Sequence, residues 1–404
     1  MTMKPFKELM PREEAQRIIK EKIKQISRVE KVPLDELNGR VLAKDAQATF
    51  NVPPFDRASM DGYAVKAVDT AGASVKSPIK LKLIGAQHTG KIFDGEIKHG
   101  ECLEIATGSP MPPGSDATVM VEDTITDGEL ILFHRSVSPG RNMAPEGEDI
   151  VKGDIVVKEG EQLTPGKIGA LAALGYEKAE VYVNPRVAIY STGPEIVPQG
   201  TSLEPGQIYD INSYTLTSVI KSSGGTPFKR PIVGDTKEAI REAIFDASTY
   251  DIGVFSGGSS VGVKDLFGEV MEELGEVFFH GLRVKPGKPT LFGMVKGTPI
   301  FGMPGYPTSC LNNSYVFLAP AVRLMAGLPP KEKRQLVVKM AERLESKSDR
   351  EQFITVRLEN NLAYRVFKQS GDITSMTHAD GYIILPIGKN TVEKGETITV
   401  TLIN

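Results

Sequence analysis

YDIGVFSGGSSVGVKD, residues 250–265, is the stretch on which the fold turns. Ile252, Val254 and Phe255 make a short apolar run, the length of a buried strand. The run breaks into Ser256-Gly257-Gly258-Ser259-Ser260, and helical spacing resumes at Leu266, Phe267, Val270, Met271 and Leu274 before Gly275. A strand, a Gly/Ser loop and a helix in that order bring free backbone N–H groups and hydroxyls to a helix N-terminus, where an oxyanion is held well. Asp265 adds a carboxylate at the far end, suited to a metal or a donor group. Taken alone, the loop is equally an ordinary strand-to-helix turn that uses glycine for positive φ.

The flanks repeat the pattern. A strand at 187–191 leads into Thr192-Gly193-Pro194-Glu195, and a helix over 212–223 ends at Gly224-Gly225. A strand at 226–233 leads to Asp235, read as an N-cap with Glu238 three residues on, before a helix with Ile240, Ala243, Ile244 and Ala247 on its apolar face. Such alternation implies a parallel sheet with helices on both faces, and ligands bind such sheets beyond the carboxyl ends of the strands. Thr192–Glu195, Asp235 and Ser256–Asp265 fall at those ends. Further on, KPGK (285–288) sets two lysines around a Pro-Gly turn, able to face one anion, although such a string is ordinarily a solvated turn. A hairpin across Lys296-Gly297 runs into GMPGYPTS (302–309), which opens a helix to about residue 325. Thr308 or Ser309 is placed to cap that helix or to donate to a ligand.

Elsewhere, residues 11–27 and 34–42 read as N-terminal helices, and 51–66 (NVPPFDRASMDGYAVK) as a polar loop too dense in charge for a simple connector. Short strands at 79–84, 101–106, 117–121 and 130–134 suggest a small all-β insert, with polar loops at 106–116 and 139–150. The mixed segment 151–183, with a helix after Thr164-Pro165, is expected to pack with the N-terminal helices. Beyond a linker at 328–331, five short strands suggest a small β-barrel or sandwich. The expected class is therefore multidomain α/β plus β. An N-terminal mixed domain comprises 1–50 and 140–185, the inserted β domain 51–139, the parallel-sheet α/β domain 186–328, and the C-terminal β-barrel 332–404.

Composition excludes several classes. The 404 residues exceed a single domain of about 150. A net charge of −3 supplies no global basic field for nucleic acid. The two cysteines, Cys102 and Cys310, stand far apart, so neither a disulfide framework nor a zinc ribbon is implied. The first residues carry acids without an apolar core, unlike a signal peptide, and no apolar run reaches membrane-spanning length. A cytoplasmic protein without membrane partners is expected.

Collected, the loops supply carboxylates (Asp61, Asp149, Glu195, Asp235, Asp265), cations (Lys285, Lys288) and hydroxyls (Thr107, Ser309). Carboxylate oxygens suit Mg²⁺, which typically bridges to substrate phosphate. No GxxxxGK[ST] string occurs, which removes a P-loop NTPase. The residues alone therefore reach Mg²⁺-assisted handling of a phosphorylated or oxyanion ligand in an α/β domain.

PPFDRASMDGYAV, ATGSPMPPGSDA, GEDI, STGPEIV, YDINSYTL, SGGSSVGVKD, KPGKP and GMPGYPTS stand in the order seen in molybdopterin molybdenumtransferases. Along essentially its whole length the chain resembles that MoeA and gephyrin E-domain family. The resemblance implies an L-shaped homodimer with composite active sites and a transient contact with the molybdopterin adenylyltransferase. It implies insertion of molybdate or tungstate into adenylylated molybdopterin, with Mg²⁺-dependent release of AMP. By the same resemblance, Asp61 and Thr107 match residues needed for activity. Asp149, Glu195, Asp235 and Asp265 match the acidic set, with Glu195, Asp235 and Asp265 as Mg²⁺ ligands. Asp210, Asn212, Ser256, Gly257, Gly258 and Ser259 match the molybdopterin and nucleotide end. Lys285, Lys288 and Ser309 match molybdate contacts, and Arg350 and Ser370 resemble the family's Arg and Ser from the C-terminal domain. Tyr306 replaces the family's usual Asn, and His378-Ala379-Asp380-Gly381 replaces an Ala-Asn-Gly string. A gephyrin-like binding scaffold and a molybdopterin adenylyltransferase are the alternative readings.

Overall fold

The computed structural model describes residues 8–257, 266–346, 348–366 and 371–403. They form two compact units: Met1–Glu30, Gly39–Val41 and Glu180–Asn404 in one, Lys31–Asn38 and Leu42–Ala179 in the other.

The first unit is built on a six-stranded sheet. In chain order its elements are β1 (Arg186–Ser191), α1 (Asn212–Ser222), β2 (Thr226–Lys229), α2 (Lys237–Ala247), β3 (Ile252–Ser256), α3 (Leu266–Leu274), β4 (Glu276–His280), β5 (Leu291–Val295) and β6 (Thr298–Met303). The spatial order is β2-β1-β3-β6-β5-β4. The first four strands run parallel, while β5 and β4 add antiparallel at one edge. Side chains alternate across the sheet, as a strand's period of two requires. Val187, Ile189, Ile252, Val254, Phe301 and Met303 enter one core with Leu216 and Ile220 of α1. Ala188, Tyr190, Phe255 and Ile300 enter a second core with α2 and α3. Burial on both faces explains why β3 reads as an unbroken apolar run.

Three local expectations are corrected. The helix Arg12–Lys22 buries Ala15 and Ile19 in the first core of the α/β unit, rather than packing with the segment after Thr164. That segment instead joins Ala48, Ile150, Val52 and Val156 in a separate small core of the second unit, through Leu174 and Tyr176. The expected helix at 34–42 shrinks to one 3-10 turn, Leu34–Glu36, and Gly39 follows with φ +82°. The cap of α2 is Thr236, whose side chain accepts the Ala239 N–H, so Asp235 stands just outside the helix.

After β6 the chain forms a helix over Pro307–Asn313, a π-turn at Ser314–Leu318 and a helix over Ala319–Met325. The five strands beyond it close on themselves. Glu351–Glu359, Leu362–Arg365, Gln335–Met340, Thr397–Leu402 and Gly381–Leu385 neighbour in that order, and the last pairs with the first. Closure leaves this barrel without free edges among its own strands, except where Val284–Lys285 adds in parallel against Glu351 and Gln352. The second unit contains a six-stranded sheet over 62–133, including a strand at Thr124–Asp127 that the sequence reading omitted.

Candidate functional site

The carboxyl ends of β1, β3 and β6 meet at one edge of the sheet. Thr192 donates its N–H to Ser256 O at 2.9 Å, Gly257 donates to Met303 O at 3.2 Å, and Thr192 bridges to Val233. Three loops expected at one edge are thus tied together by backbone bonds. Gly257 has φ +91°, and a Cβ there would lie 2.4 Å from Thr192 O. Gly305 is its neighbour, and a Cβ on Gly305 would stand in ordinary van der Waals contact with the Gly257 Cα, at 3.5 Å. The two glycines put a ledge of backbone without side chains at this edge of the sheet.

Polar groups surround the ledge. The buried Asp210 carboxylate accepts Ser191 Oγ at 2.8 Å and the Ser213 N–H at 3.0 Å, which caps the start of α1. Burial pushes the nearby Cys310 thiol up in pKa, and the charge of Asp210 adds to that, so Cys310 stays a neutral packing group. Asn212 donates Nδ2 to Gly305 O at 2.8 Å, which fixes the orientation of its amide. Its Oδ1 is then a buried acceptor with no donor among the described residues. Such an orphan costs about 1–3 kcal/mol. Glu195 and Asp235 are exposed, and the Glu195 carboxylate lies against Gly193, where a Cβ would meet it at 2.7 Å.

A second group gathers around the KPGK turn. Pro286 and Gly287 are buried and Lys285 and Lys288 half-buried, so this is no solvated surface turn. Lys285 lies in register with Gln352 of the barrel. Arg350, one of the residues expected from the C-terminal domain, donates Nη1 to Val284 O at 3.4 Å. The adjacent Glu351 takes a forked ion pair from Arg12, at 2.6 and 3.1 Å. Hydrogen bonding to that carboxylate raises the Arg12 pKa despite partial burial. Ser309 is buried within the helix Pro307–Asn313, whose N-cap is Tyr306, so neither Thr308 nor Ser309 caps it. Thr308 Oγ1 instead donates to Asp372 O at 3.0 Å.

Asp61, Thr107 and Asp149 belong to the second unit. There the Asp61 carboxylate accepts the Thr107 N–H at 2.8 Å, which brings together two residues 46 apart in sequence. Asp149 is exposed beside Ile150. Gly258, Ser259, Asp265 and Ser370 lie outside the described residues. Among the described residues no three His, Cys, Asp or Glu side chains stand close enough to hold a metal, and no helix is long and apolar enough to cross a membrane. Sequence reasoning missed Asn313 and Thr290, both fully buried and both bonded to the KPGK turn. No motif marks them. The only signal was an Asn-Asn-Ser run interrupting an otherwise apolar helix.

A parallel sheet with a glycine ledge at its carboxyl edge, bounded by an acid, an amide and a lysine turn, defines a ligand-binding α/β protein with an accessory barrel. Comparison with known proteins narrows the class. Residues 10–175 match the MoeA N-terminal region (domain I and II), 188–324 a probable molybdopterin binding domain, and 337–403 the MoeA C-terminal region (domain IV). The putative molybdopterin biosynthesis protein of Methanocaldococcus jannaschii is 33% identical, with 99% of this chain and 100% of the relative covered. The molybdopterin molybdenumtransferase of Haemophilus influenzae is 30% identical, with coverages of 94% and 95%. Among solved structures, the molybdopterin biosynthesis MoeA protein of Pyrococcus horikoshii superposes with a TM-score of 0.85 at 39% identity, covering 98% of this chain and all of that one. The chain belongs to the MoeA family.

Proposed function

We propose that this protein is a molybdopterin molybdenumtransferase of molybdenum cofactor biosynthesis, taking molybdate or tungstate and adenylylated molybdopterin as substrates and releasing AMP. The observation that carries the reading is the sheet's carboxyl edge, where Asn212 leaves an acceptor with no donor among the described residues beside Gly257 and Gly305. A pterin edge is rich in N–H donors and its ring is flat. Relatives covering nearly the full chain bear the enzyme's name.

In this reading the ledge and Asp210 orient the pterin, while the KPGK turn with Ser309 holds the oxyanion through ammonium and hydroxyl groups. Hard carboxylate oxygens fit Mg²⁺, and Glu195 and Asp235 are exposed at the edge to hold it, with Asp265 completing the set by family resemblance. Bound there, Mg²⁺ supplies charge neutralisation to the substrate's phosphates. The Asp61–Thr107 pair and Asp149 enter through the homodimer expected of the family, in a cytoplasmic enzyme that receives its substrate from the adenylyltransferase. The test is to incubate the full chain with adenylylated molybdopterin, Mg²⁺ and graded molybdate. Oxyanion-dependent AMP release, absent in Asp265→Asn, is expected. Formation of adenylylated pterin from molybdopterin and ATP would overturn the assignment.

A further inference from the structure

The KPGK turn is held by a clamp of buried side chains that lies outside the groups assigned to the substrates above. Asn313 is fully buried at the end of the helix Pro307–Asn313. Its Nδ2 donates to Gly287 O at 2.9 Å and to Thr290 Oγ1 at 2.8 Å. Thr290 Oγ1 in turn donates to the same Gly287 carbonyl at 2.9 Å. Asn312 donates Nδ2 to Asn313 Oδ1 at 3.2 Å, so both ends of the Asn313 amide are engaged and its orientation is fixed by its partners. Gly287 has φ +101° and packs on the amide so closely that a Cβ would lie 2.3 Å from Nδ2. The backbone carbonyl of Lys288 also accepts from Leu282 and Thr290, at 2.8 and 2.9 Å.

Ser309 stands four residues before Asn313, one helical turn back on the same face. The amide therefore locks the distance between that hydroxyl and the two lysines flanking Gly287. We propose that Asn313, seconded by Thr290, is a positioning residue for the oxyanion substrate: it sets the lysine turn against the helix that carries Ser309. The inference rests on the function proposed above. Tetrahedral oxyanions are recognised by several donors at once, so their placement governs affinity. The clamp touches no substrate atom and acts through the Gly287 carbonyl.

The experiment measures molybdate KM and kcat for AMP release by the full chain with adenylylated molybdopterin, together with the thermal midpoint. Losing one buried hydrogen bond corresponds to roughly a tenfold change. Asn313→Ala is therefore expected to raise molybdate KM about tenfold, with kcat held within about twofold. Thr290→Val keeps the shape, removes the hydroxyl and moves KM in the same direction. Ile244→Val, in the core on the other face of the sheet, lowers the midpoint without moving molybdate KM and so separates positioning from stability. Wild-type molybdate KM in both Asn313→Ala and Thr290→Val, with Lys288→Ala raising it, overturns the proposal alone. If Lys285→Ala and Lys288→Ala also leave KM unchanged, the assignment of this turn to the oxyanion falls, and the clamp's role with it.

Discussion

Gly257→Ala puts the ledge under a load whose size the structure fixes. The residue has φ +91°, which costs an alanine about 1–2 kcal/mol. Its new Cβ would lie 2.4 Å from Thr192 O, a backbone atom that cannot rotate away. Relief requires Thr192 or Gly257 to shift, which loosens the Thr192 N–H to Ser256 bond of 2.9 Å and the Gly257 N–H to Met303 bond of 3.2 Å. At about 1 kcal/mol for each, the total reaches about 3 kcal/mol, divided between lost stability and a displaced ledge. Whatever share falls on the ledge appears in pterin affinity, at about tenfold per 1.4 kcal/mol. The chain has no tryptophan, so far-UV dichroism in urea follows stability and calorimetric titration with molybdopterin follows affinity. Gly234→Ala is the matched control, since it lies in an adjoining loop and its Cβ would meet nothing closer than Ala239 at 3.8 Å. If Gly257→Ala matches Gly234→Ala in both measurements, the ledge is not the pterin seat.

Asp61→Asn retains a carbonyl oxygen to accept the Thr107 N–H and is expected to keep the loop ordered while losing activity. Asp61→Ala loses both, as amide exchange at Thr107 reports, and full activity in Asp61→Asn would show that the charge is not used. Burial pushes the Cys102 thiol up to about 12 from 9.0, so the fold holds the neutral thiol. Stability from this group is complete below pH 9 and is lost as pH rises from 9 toward about 12. Urea midpoints should fall over that range less steeply in Cys102→Ala than in the wild type. Thr236→Ala removes the side-chain cap of α2 and is expected to cost about 1 kcal/mol by urea unfolding, whereas Asp235→Ala spares stability and impairs only the reaction.

The α/β architecture was legible because its signals are local and repeated. The run at Ile252–Phe255 is a strand buried on both faces, and at its end Ser256 O accepts the Thr192 N–H while Thr192 bridges to Val233, as the alternation of strands and helices implied. The cap of α2 was misplaced by one residue because Asp235 and Thr236 are both good capping types, and only the geometry of the first turn chooses between them. The helix expected at 34–42 failed because its apolar spacing runs into Gly39, whose left-handed backbone ends it. The packing of Arg12–Lys22 was beyond reach for a different reason. An amphipathic stripe states that a face will be buried, not which of several cores receives it.

The least legible part of the site was its bracing, to which the barrel contributes. Val284 and Lys285 are two residues of strand with no pattern of their own, yet they pair with Glu351 and Gln352 at the barrel's edge. Arg350 donates to Val284 O, and Glu351 is held by the fork of Arg12, so the lysine turn is fixed on its barrel side by the backbone ladder, Arg350 and, through Glu351, Arg12. Asn313 and Thr290 fix it from the α/β side. Apart from the local Thr290–Gly287 bond, each contact joins residues far apart in the chain, beyond any short window of sequence. A turn with two ammonium groups gains affinity for a small oxyanion when its lysines are held facing one site before the anion arrives, because mutual repulsion otherwise drives them apart into solvent. The barrel and the buried amide supply that rigidity from opposite sides. It follows that Glu351→Gln, which weakens the Arg12 fork without touching the turn, should raise molybdate KM in the same direction as Asn313→Ala. The two effects should add, because the residues brace the turn through separate contacts.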